Sequence, residues 1–259
     1  MALPEFAIII PASDEAECLG AVLDEMLQEL DLERFVVAVG VNGSSDATAQ
    51  IARQRPVLVA ETERRGYGHG CQAAIDLTNS LFPSIRGYIF CAGDGATDPG
   101  DLRPLVAAFE QGYDLVLGSR TQRLRNWRTM TLRHLLANAA LGLWCAALCG
   151  RAFSDLGPLR IIHRRLFERI APREMTFGWT IEAQVAAARL GAAICEIPVH
   201  ERRRIAGQQK VSGVTWQRTL SVGCQILSAG RRTRRNFQAA RAVRDPIFVR
   251  PNETRQREA

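Results

Sequence analysis

Histidine is scarce in this chain: four residues (His69, His134, His163, His200) in 259, with no pair at ligand spacing, which argues against a His-based metal centre. The seven cysteines (Cys18, Cys71, Cys91, Cys145, Cys149, Cys195, Cys224) are odd in number and scattered, with no CxxC pair. That pattern excludes a zinc ribbon or a disulfide framework and predicts reduced thiols in a cytoplasmic protein. The opening MALPEFAIIIPAS has no basic stretch and only a short apolar run, which suits a buried strand better than an export signal. Aromatics make up 7% of the chain, and the Arg-rich stretch at 231–259 has only Phe237 and Phe248, so the chain lacks the stacking residues expected of a nucleic-acid binder.

What is present is a neutral body with a basic tail. The net charge is +6, and residues 231–259 hold nine Arg against Asp245, Glu253 and Glu258, a difference of six. The length allows one large domain with appendages. Through residue 120, short apolar runs alternate with helical stretches. FAIIIPA is followed by an amphipathic segment from Ala16 to Leu30, then FVVAVGV, a helix from Asp46 to Arg53, and PVLVAE. A helix from Gly68 to Leu81, GYIFCAG, a helix from Pro99 to Gln111, and YDLVLGS continue the pattern. This rhythm predicts βαβ units, an α/β fold with a mostly parallel sheet flanked by helices. Leu132 to Cys149 reads as a helix apolar almost throughout, interrupted by Arg133, His134 and Asn138 and too short to span a bilayer. A second apolar helix is expected at 214–230, leading into RRTRR, with a helical appendage and basic tail beyond a domain of residues 1–213.

Four loops follow the first four strands. In PASDEAE, Asp14, Glu15 and Glu17 place carboxylates at a helix start, which capping and the helix dipole explain. In VNGSSDAT, Asn42-Gly43 permits a tight turn, and Ser44, Ser45 and Asp46 offer caps. ERRGYGHGCQAA spaces Gly66, Gly68 and Gly70 by two at a helix start, where backbone amides can face a phosphate, although this is not the dinucleotide fingerprint. In CAGDGATDPGDL, Asp98 and Asp101 flank a Pro suited to the first helical position, whereas Asp94, between Gly93 and Gly95, suits a cation bridged to a diphosphate.

Together these loops resemble the donor half of family-2 glycosyltransferases of the GT-A (Rossmann-like) fold, over residues 6–120 and ending in LGSR at Arg120. The acceptor half, 121–213, is similar to the polyprenyl-phosphate (dolichyl-phosphate-like) sugar transferases. It carries SDLGPLRIIHRRLFERI from Ser154, FGWTIEAQVAAARLGAAICEIPV from Phe177, and ERRRIAGQQKVSG from Glu201, close to a family RxxGxSK pattern with Arg204, Gly207 and Lys210 kept. Gln209 stands in place of serine. The resemblance implies a UDP- or GDP-sugar donor and a Mg²⁺ or Mn²⁺ ion on Asp94. Pro11 and Glu15 would border the nucleoside, Asn42 and Gly43 would approach base or ribose, and Ala12, Ser44, Asp46, Gly66, Gly68 and Gly93 would surround the donor. The family's usual DxD is here Ala92-Gly93-Asp94, so the first carboxylate is missing.

The resemblance also brings Arg120, Arg204 and Lys210 to the cleft as cations for a diphosphate or an acceptor phosphate. A lipid-phosphate acceptor needs no general base. A hydroxyl acceptor does, with Asp155 or Glu182 as the expected bases. The expected activity is inverting transfer to a polyprenyl phosphate by a protein held peripherally on the inner face of the cell membrane. Contact would run through the apolar helices 132–149 and 214–229 and the Arg-rich tail. The alternatives are a transferase with a soluble hydroxyl acceptor and, because of Ala92, a nucleotide-sugar-binding protein with weakened catalysis.

Overall fold

The computed structural model describes residues 3–128, 130, 132–205 and 216–237, with backbone alone for 127–128, 132–134 and 216–222. Seven strands form one sheet. The first half runs β1 (Phe6–Ala12), α1 (Ala16–Glu29), β2 (Phe35–Asn42), α2 (Thr48–Arg53), β3 (Leu58–Thr62), α3 (Tyr67–Leu81), β4 (Gly87–Phe90), α4 (Leu102–Glu110) and β5 (Leu115–Ser119). The second half runs α5 (Leu132–Cys149), β6 (Arg160–His163), α6 (Arg164–Ile170), α7 (Trp179–Arg189), β7 (Ile194–Pro198) and α8 (Trp216–Asn236).

The strand order is β3-β2-β1-β4-β6-β5-β7. All neighbours are parallel except β6, which runs antiparallel to both β4 and β5. The fold class is therefore α/β with a mixed, mostly parallel sheet. β1 is apolar along nearly its whole length because helices cover both faces: Ile8, Ile9 and Ile10 are all fully buried. One face packs on α1 and α4 through Leu19, Leu23, Leu102 and Leu105. The other packs on α3, α5, α6 and α7 through Ile75, Leu148, Leu166 and Trp179.

The chain builds outward from β1 through β2 to β3, then returns to the other side of β1 with β4. That reversal opens a crevice beyond the carboxyl ends of β1 and β4, the position at which open α/β sheets bind ligands. Pro11 and Ala12 end β1, and the loop carrying Asp94 leaves β4. The topology thus brings two of the sequence motifs to one crevice.

α8 begins near the expected position but runs to Asn236, so Arg231–Arg235 of the supposed tail are helical. Its second half packs on α7 and α5, with Ala229 and Thr233 buried. Residues 238–259 of the tail lie outside the described residues.

Candidate active site

The loops after β1 and β2 cap each other. Asp14 N–H donates to Ser44 Oγ (2.9 Å), Glu15 N–H to Thr48 Oγ1 (2.8 Å) and Ala16 N–H to Asp46 Oδ2 (3.0 Å). In return Asp14 Oδ1 accepts from the Ser45 amide at 2.7 Å and its hydroxyl at 3.1 Å. The start of α1 is therefore capped by side chains of the neighbouring loop and of Thr48 at the start of α2, and Asp46 serves both helices, accepting also from the Thr48 amide at 3.0 Å. The Ser45 amide holds Asp14 below the usual carboxylate range against some burial. For Asp46 burial pulls upward, but the Thr48 hydroxyl and amide and the Ala16 amide bring the net value down. Both stay ionised.

Asn42 ends β2 and is 5% exposed. Gly43, at φ +59°, turns the chain and lies so close to Arg65 that a Cβ would sit 2.3 Å from Arg65 Cγ. The three glycines at the start of α3 are explained by close packing. A Cβ on Gly66 would meet Met175 O at 2.4 Å, one on Gly68 the Trp179 ring at 2.7 Å, and one on Gly70 the Asn42 Oδ1 at 2.7 Å. Gly68 N–H donates to Met175 O and Gly70 N–H to Gly66 O. Those two amides are thus committed within the protein, where the spacing had allowed a phosphate.

Asp94 is part-exposed at the mouth of the crevice. Its Oδ1 accepts from Ala96 N–H at 3.0 Å. Its Oδ2 lies 3.4 Å from Arg204 Nε, and Arg204 Nη2 in turn lies 3.3 Å from Glu15 Oε1. Arg204 is aligned by a strap in which Arg202 N–H donates to Ala96 O (3.0 Å) and Ile205 N–H to Asp94 O (3.2 Å). Beneath it the Cys18 thiol shares its one proton between Glu15 Oε2 (3.2 Å) and Gly93 O (3.4 Å), tying the start of α1 to the β4 loop. Burial, with Glu15 beside it, pushes that thiol up to about 12, so it remains a neutral donor. Lys210 and Gly207 lie outside the described residues.

On the far side of the crevice, Arg120 clamps Asp155. Nε donates to Oδ2 at 2.7 Å, Nη2 to Oδ1 at 2.9 Å, and the Arg120 amide adds a third bond at 3.0 Å. The Asp155 side chain is 1% exposed. Burial alone would lower the Arg120 pKa, but Asp155 and Glu201 raise it overall, so the guanidinium is a permanent charge. Glu201 lies 3.3 Å from Arg120 Nη1. Burial raises its pKa, Arg120 pulls it back, and the charges of Asp155 and Asp94 add to the rise. A shallow cleft here is lined by Thr97, Arg120, Gly157, Pro158, His200 and Glu201.

Glu182 lies elsewhere. Its Oε2 accepts from the amides of Arg173 (3.0 Å) and Glu174 (2.7 Å), fixing the turn before α7, and burial raises its pKa. It lines a separate cavity between α7 and α8 with Arg173, Glu174 and Arg232. Asp98 caps its helix through Gly100 N–H as expected. Asp101, expected at a helix start, is also a buried cross-link that accepts from His200 N–H at 2.7 Å and contacts His200 Nδ1 at 2.9 Å. The sequence reading missed Glu201, Cys18 and the His200–Asp101 pair. Glu201 opens the ERRRIAG motif, so the signal was adjacent, whereas nothing in the sequence marks Cys18.

A family model described as glycosyl transferase family 2 matches residues 7–171. An uncharacterized glycosyltransferase of Mycobacterium tuberculosis is 27% identical over 227 residues, covering 82% of this chain and 92% of the relative. A dolichyl-phosphate hexose transferase of Haloferax volcanii is 29% identical over 209 residues, covering 80% and 86%. A polyprenol monophosphomannose synthase of Mycolicibacterium smegmatis is 25% identical over 223 residues, covering 80% of each. Among solved structures, glucosyl-3-phosphoglycerate synthase from Mycobacterium tuberculosis in complex with UDP superposes with a TM-score of 0.65 at 17% identity, covering 94% of this chain and 82% of that one. The same enzyme with Mn²⁺, UDP and phosphoglyceric acid gives 0.66 at 18% identity, covering 89% and 78%. The fold is GT-A, and the chain, with its crevice at the β1/β4 reversal, belongs to glycosyl transferase family 2.

Proposed function

We propose that this glycosyltransferase moves a sugar, with inversion, from a UDP- or GDP-sugar to a polyprenyl phosphate. The observation that carries the reading is the commitment of both carboxylates expected as bases for a hydroxyl acceptor. Asp155 is closed off by three donors from Arg120, and Glu182 serves two amides away from the crevice. A phosphate acceptor needs neither. One of its anionic oxygens attacks the anomeric carbon as the bond from that carbon to the nucleoside diphosphate breaks, and the electron pair leaves with the diphosphate. No proton moves. The names of the Haloferax and Mycolicibacterium relatives support this acceptor class.

The protein's part is positioning and charge compensation. Glu15, Asn42 and Gly43 border the nucleoside side of the crevice, and Arg204 stands at the diphosphate. Arg120, whose charge is shared with Asp155 and Glu201, lines the cleft that we assign to the acceptor phosphate. A Mg²⁺ or Mn²⁺ ion fits Asp94 only as a one-carboxylate site. Among the described residues no group of three or more His, Cys, Asp or Glu could hold a metal. Asp94 Oδ2 already attracts a cation, the Arg204 guanidinium. Magnesium commonly takes one or two carboxylates and fills its shell with phosphate oxygens and water. When bound, such an ion neutralises the departing diphosphate.

One observation favours a second reading, a soluble hydroxyl acceptor. Glu201 is a carboxylate in the cleft with a raised pKa, suited to take a proton, and the structurally similar synthase was crystallised with phosphoglyceric acid. The Glu201→Gln variant separates the two. Transfer to polyprenyl phosphate is expected to stay within about threefold of wild type, whereas loss of a general base costs about 10²-fold or more. A collapse of that size on polyprenyl phosphate contradicts the proposal.

A further inference from the structure

We propose that the outer face of α5 is a docking surface for an anionic lipid bilayer, with arginines of α8 at its border. The proposal extends the lipid-acceptor reading by naming the surface that brings the crevice to the membrane.

Among the described side chains of α5, from residue 135 on, those that point away from the core are Leu136, Ala137, Ala139, Ala140, Leu143 and Ala147. Leu136, Ala140, Leu143 and Ala147 follow one another at spacings of four, three and four, and so form one stripe on the helix. Leu136 is 62% exposed and Leu143 71% exposed. A solvent-facing stripe with no polar side chain departs from the ordinary pattern, in which the outer face of a surface helix is polar. The helix is not a span: no described helix is long and apolar enough to cross a membrane. What it offers instead is an exposed apolar stripe beside the arginines of α8.

The apolar residues of α8, expected from sequence to share this role, are partly spent on packing. Gly230 is pressed against Leu148, Ile181 and Trp144, and Ala229 fits over Gly178. What the second half of α8 gives the surface is charge. Arg231 stacks over the Trp144 ring at 5.1 Å, and Arg234 Nη1 donates to Ala147 O at 3.3 Å. Both guanidiniums therefore sit beside the Leu143–Ala147 end of the stripe. Neither α5 nor α8 contains an Asp or Glu.

Charge complementarity selects the occupant. A two-fold contact with a second copy would bring like patches together and set the arginines against their equivalents. An anionic bilayer accepts the leucines into its acyl boundary and pairs the guanidiniums with headgroups.

The test uses the full chain and vesicles free of polyprenyl phosphate, so that docking and acceptor choice are read separately. The protein is expected to sediment with phosphatidylglycerol-containing vesicles, weakly with pure phosphatidylcholine, and less as salt is added. Leu136→Ser with Leu143→Ser should lower the partition coefficient by about tenfold or more. Arg231→Gln and Arg234→Gln should each lower it about fivefold at low salt. All four positions are solvent-exposed, and the melting temperature and UDP binding of each variant serve as folding controls. Equal binding to neutral and anionic vesicles, or wild-type binding by the double Leu variant, overturns the proposal. So does a concentration-dependent dimer that the Leu changes dissolve, which assigns the face to self-association. Vesicle binding without transfer to polyprenyl phosphate defeats the acceptor reading and leaves docking standing. Transfer to detergent-dispersed acceptor without vesicle binding defeats docking alone.

Discussion

Glu182 shows how one side chain carries two separable effects. Its carboxylate accepts the amides of Arg173 and Glu174 in the turn before α7, and burial holds its pKa above the ordinary 4.5. A carboxyl with a raised folded-state pKa binds its proton more tightly in the native state than in the unfolded chain. Its contribution to stability is therefore complete below pH 4.5 and is lost as pH rises through the folded value. Glu182→Gln keeps an oxygen for the amides and removes the titration, so stability should fall less steeply from pH 4.5 toward neutrality. Glu182→Ala leaves both N–H groups unsatisfied and should cost about 2 kcal/mol. Urea unfolding across that pH range checks both. An unchanged slope in Glu182→Gln, or an Ala variant as stable as wild type, contradicts this account. Arg120 and Asp155 follow the same logic: the charges recognised in sequence prove to be each other's partners, which sequence spacing cannot reveal across 35 residues.

At the scale of elements, α3 is seated by its glycines. A Cβ at Gly40 would lie 1.9 Å from Gly70 O, so helix and strand approach as closely as backbones allow. Gly70→Ala pushes against Gly40 O and Asn42 Oδ1, and is expected to cost about 1–3 kcal/mol. With Asn42 at the nucleoside, as proposed, it should also weaken UDP binding. Calorimetric titration and thermal melts would show both losses; a variant with wild-type values in each contradicts the tight seating. The parallel βα units were legible because each strand is a buried apolar run closed by a turn-forming loop, and β1 falls at the boundaries read from FAIIIPA. The antiparallel β6 was not separately legible, since its four residues RIIH begin with Arg160 and run directly into the helix RRLFERI. The glycine loop was legible as special but not for its reason. Its partners, Met175 and Trp179, lie more than 100 residues away and only the fold brings them near.

For the whole molecule, the crevice opens at the carboxyl ends of the strands while α5 packs on one face of the sheet. The crevice at the β1/β4 reversal gathers Glu15, Asp94 and Arg204 on one side, and Arg120 pairs with Glu201 on the other. The helices α5 and α8 on one flank bring together an apolar stripe and a cluster of arginines. Net charge from sequence located the basicity at 231–259, but the structure folds Arg231–Arg235 into α8 with Thr233 buried among them. A deletion intended to test the tail must therefore begin after residue 237 to leave the helix intact.

The central claim is transfer from a nucleotide sugar to a lipid phosphate at the Asp94 crevice. The most direct measurement incubates the full chain with labelled UDP- and GDP-sugars, Mn²⁺ and polyprenyl phosphate, and follows label into the lipid phase. The account predicts a polyprenyl-phosphate sugar with one of the donors, reduced about 100-fold or more in Asp94→Asn. Label that enters only a soluble hydroxyl acceptor, or lipid-phase product formed equally well by Asp94→Asn, would contradict it.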